Sequence, residues 1–376
     1  MDRMKKTIAL LFGGRSGEHE VSLSSAASVA KNLDTSKYEI LLIGIDIEGN
    51  WYLQDDDELR RIRSGGTALS IKKDENRRVS IIPGGGRERA FSLAGGKALP
   101  VDTVFPVLHG TFGEDGTIQG LFEIAGLPYV GCGVPGSAIG MDKEIAKILW
   151  LNAGLPVVPY LRIRAGDWKN RDKRQNLIET AERDFSYPLF IKPSSAGSSV
   201  GTGVAAKREE LEACVGNAFA WDSKVLIEPF IPAREIECSV TGNRDFEAYT
   251  PGEVAPTHQF YDYDAKYNDP NGAALLIPAD LNEATLHKIR ELAVRAYRTA
   301  EITGLARVDF FIHKDTGEIY LNELNTMPGF TSISMFPKMC EASGLSYPDL
   351  LDKLIGLGEE RFAEQSTRVY ARETHR

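Results

Sequence analysis

Cysteine is scarce in this chain. The 376 residues include four, Cys132, Cys214, Cys238 and Cys340, widely spaced and without a CxxC pair. That argues against a disulfide framework and a thiolate zinc site, and fits a reducing, cytoplasmic setting. No apolar run approaches the roughly twenty residues a membrane-spanning helix needs, so no membrane association is expected. Positive charge is not in excess: 44 Lys and Arg against 53 Asp and Glu give a net charge of −9, which argues against an overall basic surface for nucleic acid. Two nucleotide signatures are also missing. Gly13-Gly14 is not a GxGxxG fingerprint, and the Gly/Ser-rich stretch from Ser194 to Gly203 lacks the GK[ST] of a P-loop. The apolar run Thr7–Phe12 is too brief for a signal peptide and has no small-residue cleavage site after it. It reads as a buried first strand.

What is present describes an ordinary globular protein, with 42% hydrophobic and 26% charged residues, long enough for two or three domains. The opening is strand, Gly-containing loop, helix (Val21 to Leu33) and second strand (Tyr38–Ile45). That order suggests a parallel sheet whose ligand edge lies at the strand C-termini. Residues 49–100 read as an irregular insertion with short strands near Asn50–Leu53 and Val79–Ile82. Another strand, Val101–Leu108, ends in His109-Gly110, a position where α/β folds place function. Leu127–Gly133 breaks the pattern and marks a boundary. Beyond it, Asp142–Leu151 reads as a helix carrying Lys143 and Lys147, and further helices are expected over Glu283–Gly304 and Tyr347–Phe362.

Three stretches carry chemistry. In the first, Phe190-Ile-Lys192-Pro meets Ser194-Ser-Ala-Gly-Ser-Ser-Val-Gly-Thr-Gly203, with another strand from Val204. Glycines and hydroxyls between strands let backbone N–H groups wrap phosphate oxygens, with Lys192 supplying charge, as a strand-loop-strand flap would. The competing reading is a flexible linker. In the second, Lys224–Ile231 is an apolar strand running into a connector whose free backbone groups suit an adenine edge, with Glu228 and Glu235 nearby as acceptors. The third is Leu305–Asn325. Asp315-Thr316-Gly317 has the composition of a three-residue hairpin loop with Gly in the left-handed position. That loop sets Asp309 opposite Glu323 and Arg307 opposite Asn325, all on one face, with Val308, Phe310 and Leu324 on the other. Two facing carboxylates repel, so an oxygen-loving cation is expected to offset them, and two carboxylates with an amide oxygen suit Mg²⁺ shared with phosphates. On this reading, neutralising either carboxylate leaves the metal-free protein no less stable. The competing reading is a solvated polar face in which Arg307 pairs with Asp309.

Taken together, LFGGRSGEHEVSL (11–23), HGTFGEDG (109–116), GLPYVGCG (126–133), MDK (141–143), KPSSAGSSVG (192–201), VLIEPFI (225–231), FYDYDAKY (260–267), RVDFF (307–311) and NELNTMPGFTSIS (322–334) closely resemble the D-alanine–D-alanine ligases of the ATP-grasp superfamily. The resemblance implies an α/β fold, α+β in its ATP-grasp part. It implies three domains: a Rossmann-like parallel-sheet domain over 1–131, a central ATP-grasp subdomain with the flap over 132–227, and a C-terminal subdomain over 228–376. It implies ATP-dependent joining of two D-alanines for peptidoglycan precursors, two Mg²⁺ ions for which Mn²⁺ can substitute, and a homodimer.

Carried over by position, the resemblance gives the metals to Asp309, Glu323 and Asn325. ATP goes to Lys143, Lys192, Ser199, Glu228, Glu235, Lys266 and the backbone of Phe230 and Ile231. Glu18 takes the first D-alanine's ammonium. Ser334 and the backbone at Met335 take the second D-alanine's carboxylate, with His109 nearby. Arg307 and the Gly329 N–H stabilise the oxyanion. Tyr267, with Ser198 and Glu18, closes the aromatic loop over the site. A D-alanine–D-lactate ligase is the alternative within the superfamily, and the aromatic loop at 260–267 argues against it. A nucleotide-binding regulator with a decayed site is opposed by the intact Asp309, Glu323, Asn325 and Arg307, and a dehydrogenase by the poor Gly fingerprint.

Overall fold

The computed structural model describes residues 5–256 and 273–369. Lys266 and Tyr267 lie outside the described residues. Four sheets organise the rest.

The first sheet has the order Trp51–Leu53, Tyr38–Ile45, Lys6–Gly13, Thr103–Pro106. Its last three strands are parallel, in register from Lys6 opposite Tyr38 to Gly13 opposite Ile45. Both faces are buried, which is why Thr7–Phe12 reads as continuous apolar sequence rather than alternation. Ile8, Leu10 and Phe12 enter one core, while Ala9 and Leu11 enter another with Phe122 and Tyr129. The first of these cores continues through Phe330, Met339, Tyr347 and Leu354. The N-terminal sheet and the helix Tyr347–Ser366 are therefore packed as one body. The 49–100 stretch is more regular than expected. It holds a helix at Asp56–Arg63 and a small antiparallel sheet of Val79–Ile81, Phe91–Leu93 and Ala98–Leu99.

The second sheet is antiparallel, in the order Gly203–Ala205, Leu189–Pro193, Lys224–Pro229, Leu161–Arg164. With helices Arg171–Asp184 and Arg208–Ala218 it has a core of its own, including Ile178, Ile191, Leu211 and Ile227.

The largest sheet, six-stranded and antiparallel, runs Ala273–Leu276, Gly252–Pro256, Ala233–Thr241, Leu305–His313, Ile319–Asn325, with Glu247–Ala248 added to Ala233–Thr241. One face is apolar. Ile236, Cys238, Val308, Phe310, Leu321 and Leu324 pack under helix Glu283–Thr299 and Trp150 of helix Lys143–Asn152. The other face carries the charged residues. Helix Glu283–Thr299 stops short of the expected Gly304 because Glu301 and Gly304 both take left-handed φ, 54° and 74°.

The hairpin differs from expectation in an informative way. The His313 N–H donates to the Glu318 carbonyl, so four residues, 314–317, form the loop rather than three, with Gly317 left-handed at φ 72°. Phe310 pairs with Leu321 but Asp309 pairs with Glu323, so Asn322 is an extra bulge residue. The bulge takes up the one-residue difference. Asp309 still faces Glu323, and Arg307 still faces Asn325.

Candidate active site

The three larger sheets meet at one cleft, and each contributes to its lining: Glu18 and His109 from the N-terminal part, Ser198 and Ser199 from the flap, Arg307, Glu323 and Asn325 from the hairpin. Lys143 and Gly329 line it as well. The most direct link crosses 180 residues of sequence, where the Ser198 hydroxyl donates to the Glu18 carboxylate. Glu18 is positioned at the N-cap of helix His19–Asn32, and the Ser16 hydroxyl accepts from its N–H at 3.0 Å. Ser198 and Ser199 both hold positive φ, 50° and 57°. Side chains with a Cβ rarely adopt that conformation, and it concentrates at functional loops. Gly197 lies so close that a Cβ there would sit 3.0 Å from Glu18 Oε2.

Lys143 ties the flap to the hairpin. Its Nζ donates to the Ala196 carbonyl at 2.8 Å and pairs with Glu323 Oε2 at 3.1 Å. Asp142 fixes it there, capping the helix by accepting from the Glu144 and Ile145 N–H groups while Lys224 and Ser194 hold its carboxylate. Burial works against the charged form of Asp142, and those donors outweigh it, keeping the carboxyl below its ordinary pKa.

Lys192 and Glu228 stand deeper. Glu228 is bridged by two ammonium groups, Lys192 at 2.9 Å and Lys147 at 3.0 Å, and Lys192 also donates to Asn322 Oδ1 at 3.1 Å. Burial again opposes Glu228's charge and the two lysines prevail, holding its pKa down. Lys147, wholly buried, is pushed down to about 8 by desolvation. The Phe230 N–H is held by the Pro188 carbonyl at 3.0 Å. Phe230, Ile231 and Glu235 follow along the connector and the next strand, partly exposed.

His109 is buried, with Nδ1 2.8 Å from the Met327 carbonyl and Nε2 3.0 Å from Ser25 Oγ. A carbonyl only accepts, so Nδ1 carries a proton and donates it to the Met327 carbonyl. At Gly329 an added Cβ would lie 2.7 Å from Ser334 Oγ, so a side chain there would force the Ser334 hydroxyl to turn. Ser334 is the N-cap of helix Met335–Ala342, and its hydroxyl accepts from the Thr331 N–H at 3.0 Å.

On the hairpin face, Arg307 grips Asp309 with two hydrogen bonds of 2.7 Å, Nε to Oδ1 and Nη2 to Oδ2. The Asn325 amide donates to Asp309 Oδ2 at 2.9 Å. The pairing of Arg307 with Asp309 is thus present, but the face is not solvated: both residues are 8% exposed. The carboxylate repulsion expected to need a metal is offset by protein cations, Arg307 on Asp309 and Lys143 on Glu323. Arg307 keeps its proton although burial opposes it, because Asp309 and Glu237 outweigh the desolvation. The donor set nevertheless suits Mg²⁺. Two carboxylates and an amide oxygen are few protein ligands, as expected for an ion that takes its remaining ligands from phosphates and water. Among the described residues no group of three His, Cys, Asp or Glu side chains forms a self-contained metal cage.

Four residues in this region escaped the sequence reading of roles. Glu114 accepts from the Gly110 and Met327 N–H groups, both at 2.9 Å, and so joins the His109-Gly110 strand end to the loop after the hairpin. Burial, then the nearby Glu18 charge, raises its pKa to about 7. Lys147 lies one helical turn after Lys143 on the same helix face, which was a usable signal. Glu237 is two residues from Glu235 on a strand and so shares its face. Asn322 is placed by the bulge, whose one trace in the sequence is the three-residue spacing of Leu321 and Leu324.

Comparison with known proteins agrees with this geometry. Residues 7–132 match the family model for the D-ala D-ala ligase N-terminus, and residues 149–356 match that for the D-ala D-ala ligase C-terminus. A D-alanine–D-alanine ligase of Treponema denticola is 56% identical over 356 residues, covering 94% of this chain and 96% of the relative. Among solved structures, the D-alanine–D-alanine ligase of Coxiella burnetii superposes with a TM-score of 0.83 at 36% identity, covering 97% of both chains. The VanG D-Ala:D-Ser ligase of Enterococcus faecalis gives 0.81 at 38% identity, over 94% of this chain and 100% of that one. With one family model matching more than half of the chain and a relative this similar end to end, the chain belongs to the D-alanine–D-alanine ligase family.

Proposed function

We propose that this protein joins two D-alanines into D-alanyl-D-alanine, coupled to cleavage of ATP to ADP and phosphate. The observation that carries the reading is the meeting around one cleft of Glu18, at a helix start beside the first sheet, Ser198, in a loop of the second, and Arg307, on a strand of the largest. In this reading Glu18 receives the ammonium of the first D-alanine, whose carboxylate attacks the γ-phosphate to give an acyl phosphate. The amine of the second D-alanine then attacks the acyl carbon and phosphate leaves. The second carboxylate is received by the Ser334 hydroxyl and the N–H at Met335, at a helix start where backbone donors lack intrahelical partners. Arg307 and the Gly329 N–H face the oxyanion that develops at the acyl carbon. A planar, permanently charged fork suits that role better than a point charge.

ATP lies between the second and third sheets, with Glu228, Glu235 and the backbone of Phe230 and Ile231 toward adenine and ribose, and Lys143, Lys192 and Ser199 toward the phosphates. Lys192 already bridges Glu228 to the hairpin bulge, so it links the adenine end to the phosphate end. Asp309, Glu323 and Asn325 would hold Mg²⁺, which neutralises phosphate charge when bound. Catalysis then rests on positioning and on fixed charge, with no protein nucleophile. His109 and Glu114 support the site by holding the Met327–Gly329 loop.

The three-domain ATP-grasp partition at 131 and 227 is part of the proposal; the separate core of the second sheet, which ends at Ile227, supports the second boundary, while Cys132, Trp150 and Val157 pack with the largest sheet. Two metal ions, Mn²⁺ as a substitute, a cytoplasmic location and a homodimer rest on the family resemblance. The test is release of ADP and phosphate by the purified chain with D-alanine, L-alanine, D-serine and D-lactate, with the products identified by mass. D-alanyl-D-alanine as the dominant product is expected. Absence of D-alanine-dependent ADP release would refute the reading.

A further inference from the structure

Three carboxylates stand abreast on the charged face of the large sheet. Glu237 is directly opposite Asp309, and Asp309 directly opposite Glu323. In the neighbouring row Ser239 faces Arg307 and Arg307 faces Asn325. Arg307 sits against two of the three carboxylates, with its Nε 3.1 Å from Glu237 Oε2 and 2.7 Å from Asp309 Oδ1. Both oxygens of Asp309 are taken by the guanidinium, yet Asp309 is also a member of the proposed metal set. A divalent cation that takes Asp309 shares a carboxylate whose two oxygens already accept from the guanidinium, and so competes with Arg307 for its charge. Arginine cannot shed its proton, and a buried guanidinium without an anion is strongly disfavoured. Glu237 is the anion at hand, on a different strand from the metal hairpin and 8% exposed. Its strand is held on both sides, by Leu305–His313 and by Gly252–Pro256, and its neighbours in sequence, Ile236 and Cys238, are locked in the core.

We propose that Glu237 is the positioning residue for Arg307. It holds the Nε side of the guanidinium when Asp309 is engaged by metal, so that the Nη side is free to face the reacting oxygens. The inference rests on the reading of Arg307 and Asp309 given above. It makes the row a relay: Arg307 leans on Asp309 without metal and on Glu237 with it.

The test uses the full-length protein and the variants Glu237→Gln, Arg307→Met and their combination, with Glu237→Asp as a second, charge-retaining probe. Circular dichroism establishes that each is folded. For Glu237→Gln the expected result is a fall in kcat of about tenfold or more, with the KM for ATP within about twofold. The Mg²⁺ concentration giving half-maximal rate should rise several-fold, because Arg307 now competes harder for Asp309. Binding of Mn²⁺ in the presence of ADP, followed by electron paramagnetic resonance, should weaken in parallel, without reference to turnover. In the Arg307→Met background, Glu237→Gln should change neither kcat nor Mn²⁺ binding further. If Glu237→Gln leaves kcat and metal dependence at wild-type values, the inference fails. If the two substitutions are additive, or Mn²⁺ binding drops further in the double variant, Glu237 acts on metal or substrate directly and the inference is also overturned. Should Glu237→Gln not fold, Glu237→Asp carries the test, with the same changes expected in smaller degree and wild-type behaviour refuting it. Wild-type kcat in Arg307→Met alone would instead refute the oxyanion role of Arg307, which separates the two failures.

Discussion

Replacing Asp309 with asparagine separates two accounts of the hairpin face. If the face were dominated by repulsion between Asp309 and Glu323, removing one charge would leave the metal-free protein as stable or more so. Such a cross-strand repulsion is worth about 1 kcal/mol at most, and it is reduced here because Glu323 is paired with Lys143 and a quarter exposed, its side chain at 26%. Against it stands the loss of a buried, two-pronged ion pair with Arg307. Removing one partner of a buried pair costs about 3–5 kcal/mol, and the lower end applies because Glu237 still faces the guanidinium at 3.1 Å. The balance is a destabilisation of about 2 kcal/mol. Urea unfolding in EDTA, followed by tryptophan fluorescence, measures it. With a slope of about 3 kcal/mol/M, the midpoint should fall by about 0.7 M. A midpoint equal to or above wild type would refute the ion-pair account and restore the repulsion one. In Mg²⁺ and ATP the same variant should lose at least about a hundredfold in turnover, and near-normal turnover at ordinary Mg²⁺ would remove Asp309 from the metal set.

Glu114, raised to about 7 in the folded protein, binds more protons folded than unfolded between its ordinary value and 7. Its contribution therefore lowers stability as pH rises through that window. Glu114→Gln should cancel this, gaining on wild type by up to about 3 kcal/mol between about pH 4.5 and 7.5, and parallel curves of urea midpoint against pH would contradict the assignment. Lys147→Met takes one of two cations from buried Glu228, so the KM for ATP should rise about tenfold with a smaller change in kcat. An unchanged KM would detach Glu228 from the nucleotide. On the family resemblance, which gives Tyr267 a contact toward Ser198 and Glu18, Tyr267→Phe should retain dipeptide synthesis and gain D-alanyl-D-lactate, at a cost of about 1 kcal/mol for the lost hydroxyl. Competition between D-alanine and D-lactate across pH reads the ratio, and an unchanged ratio would exclude the hydroxyl from specificity.

The strands of the first sheet were legible because a segment buried on both faces must be apolar throughout, as Thr7–Phe12 is. Legible too were the helix at Lys143, expected over Asp142–Leu151 and found over Lys143–Asn152, and the Gly/Ser loop between the strands Leu189–Pro193 and Gly203–Ala205. The elements that escaped share a physical cause. Helix Asp56–Arg63 buries a single residue, Ile62, so its sequence shows almost no apolar period. Helix Met335–Ala342 begins after Ser334 without a side-chain cap and contains Pro337, so neither start signal nor propensity marks it. Glu114, Lys147 and Glu237 were unassigned because their partners are 213, 81 and 70 residues away, at Met327, Glu228 and Arg307. Local pattern places a residue on a face but does not name what lies opposite it.

The hairpin shows how a correct placement can rest on an incomplete derivation. A three-residue loop and an unbroken ladder put Asp309 opposite Glu323. A four-residue loop alone would shift the pairing by one and turn every side chain of one strand to the wrong face. The bulge at Asn322 shifts it back. The apolar pattern required some such correction. Leu321 and Leu324 are three apart yet both buried in the same core, which an unbroken strand of period two cannot do. That odd spacing in Leu321-Asn-Glu-Leu324 was the one trace of the bulge in the sequence. The extra residue also makes a contact of its own, since Asn322 meets Lys192 at 3.1 Å while Glu323 meets Lys143 at 3.1 Å. A bulge that re-aims neighbouring side chains thus brings both lysines onto one short segment of the hairpin. The irregularity is what connects the strand that carries Arg307 to the lysines proposed to carry the phosphates.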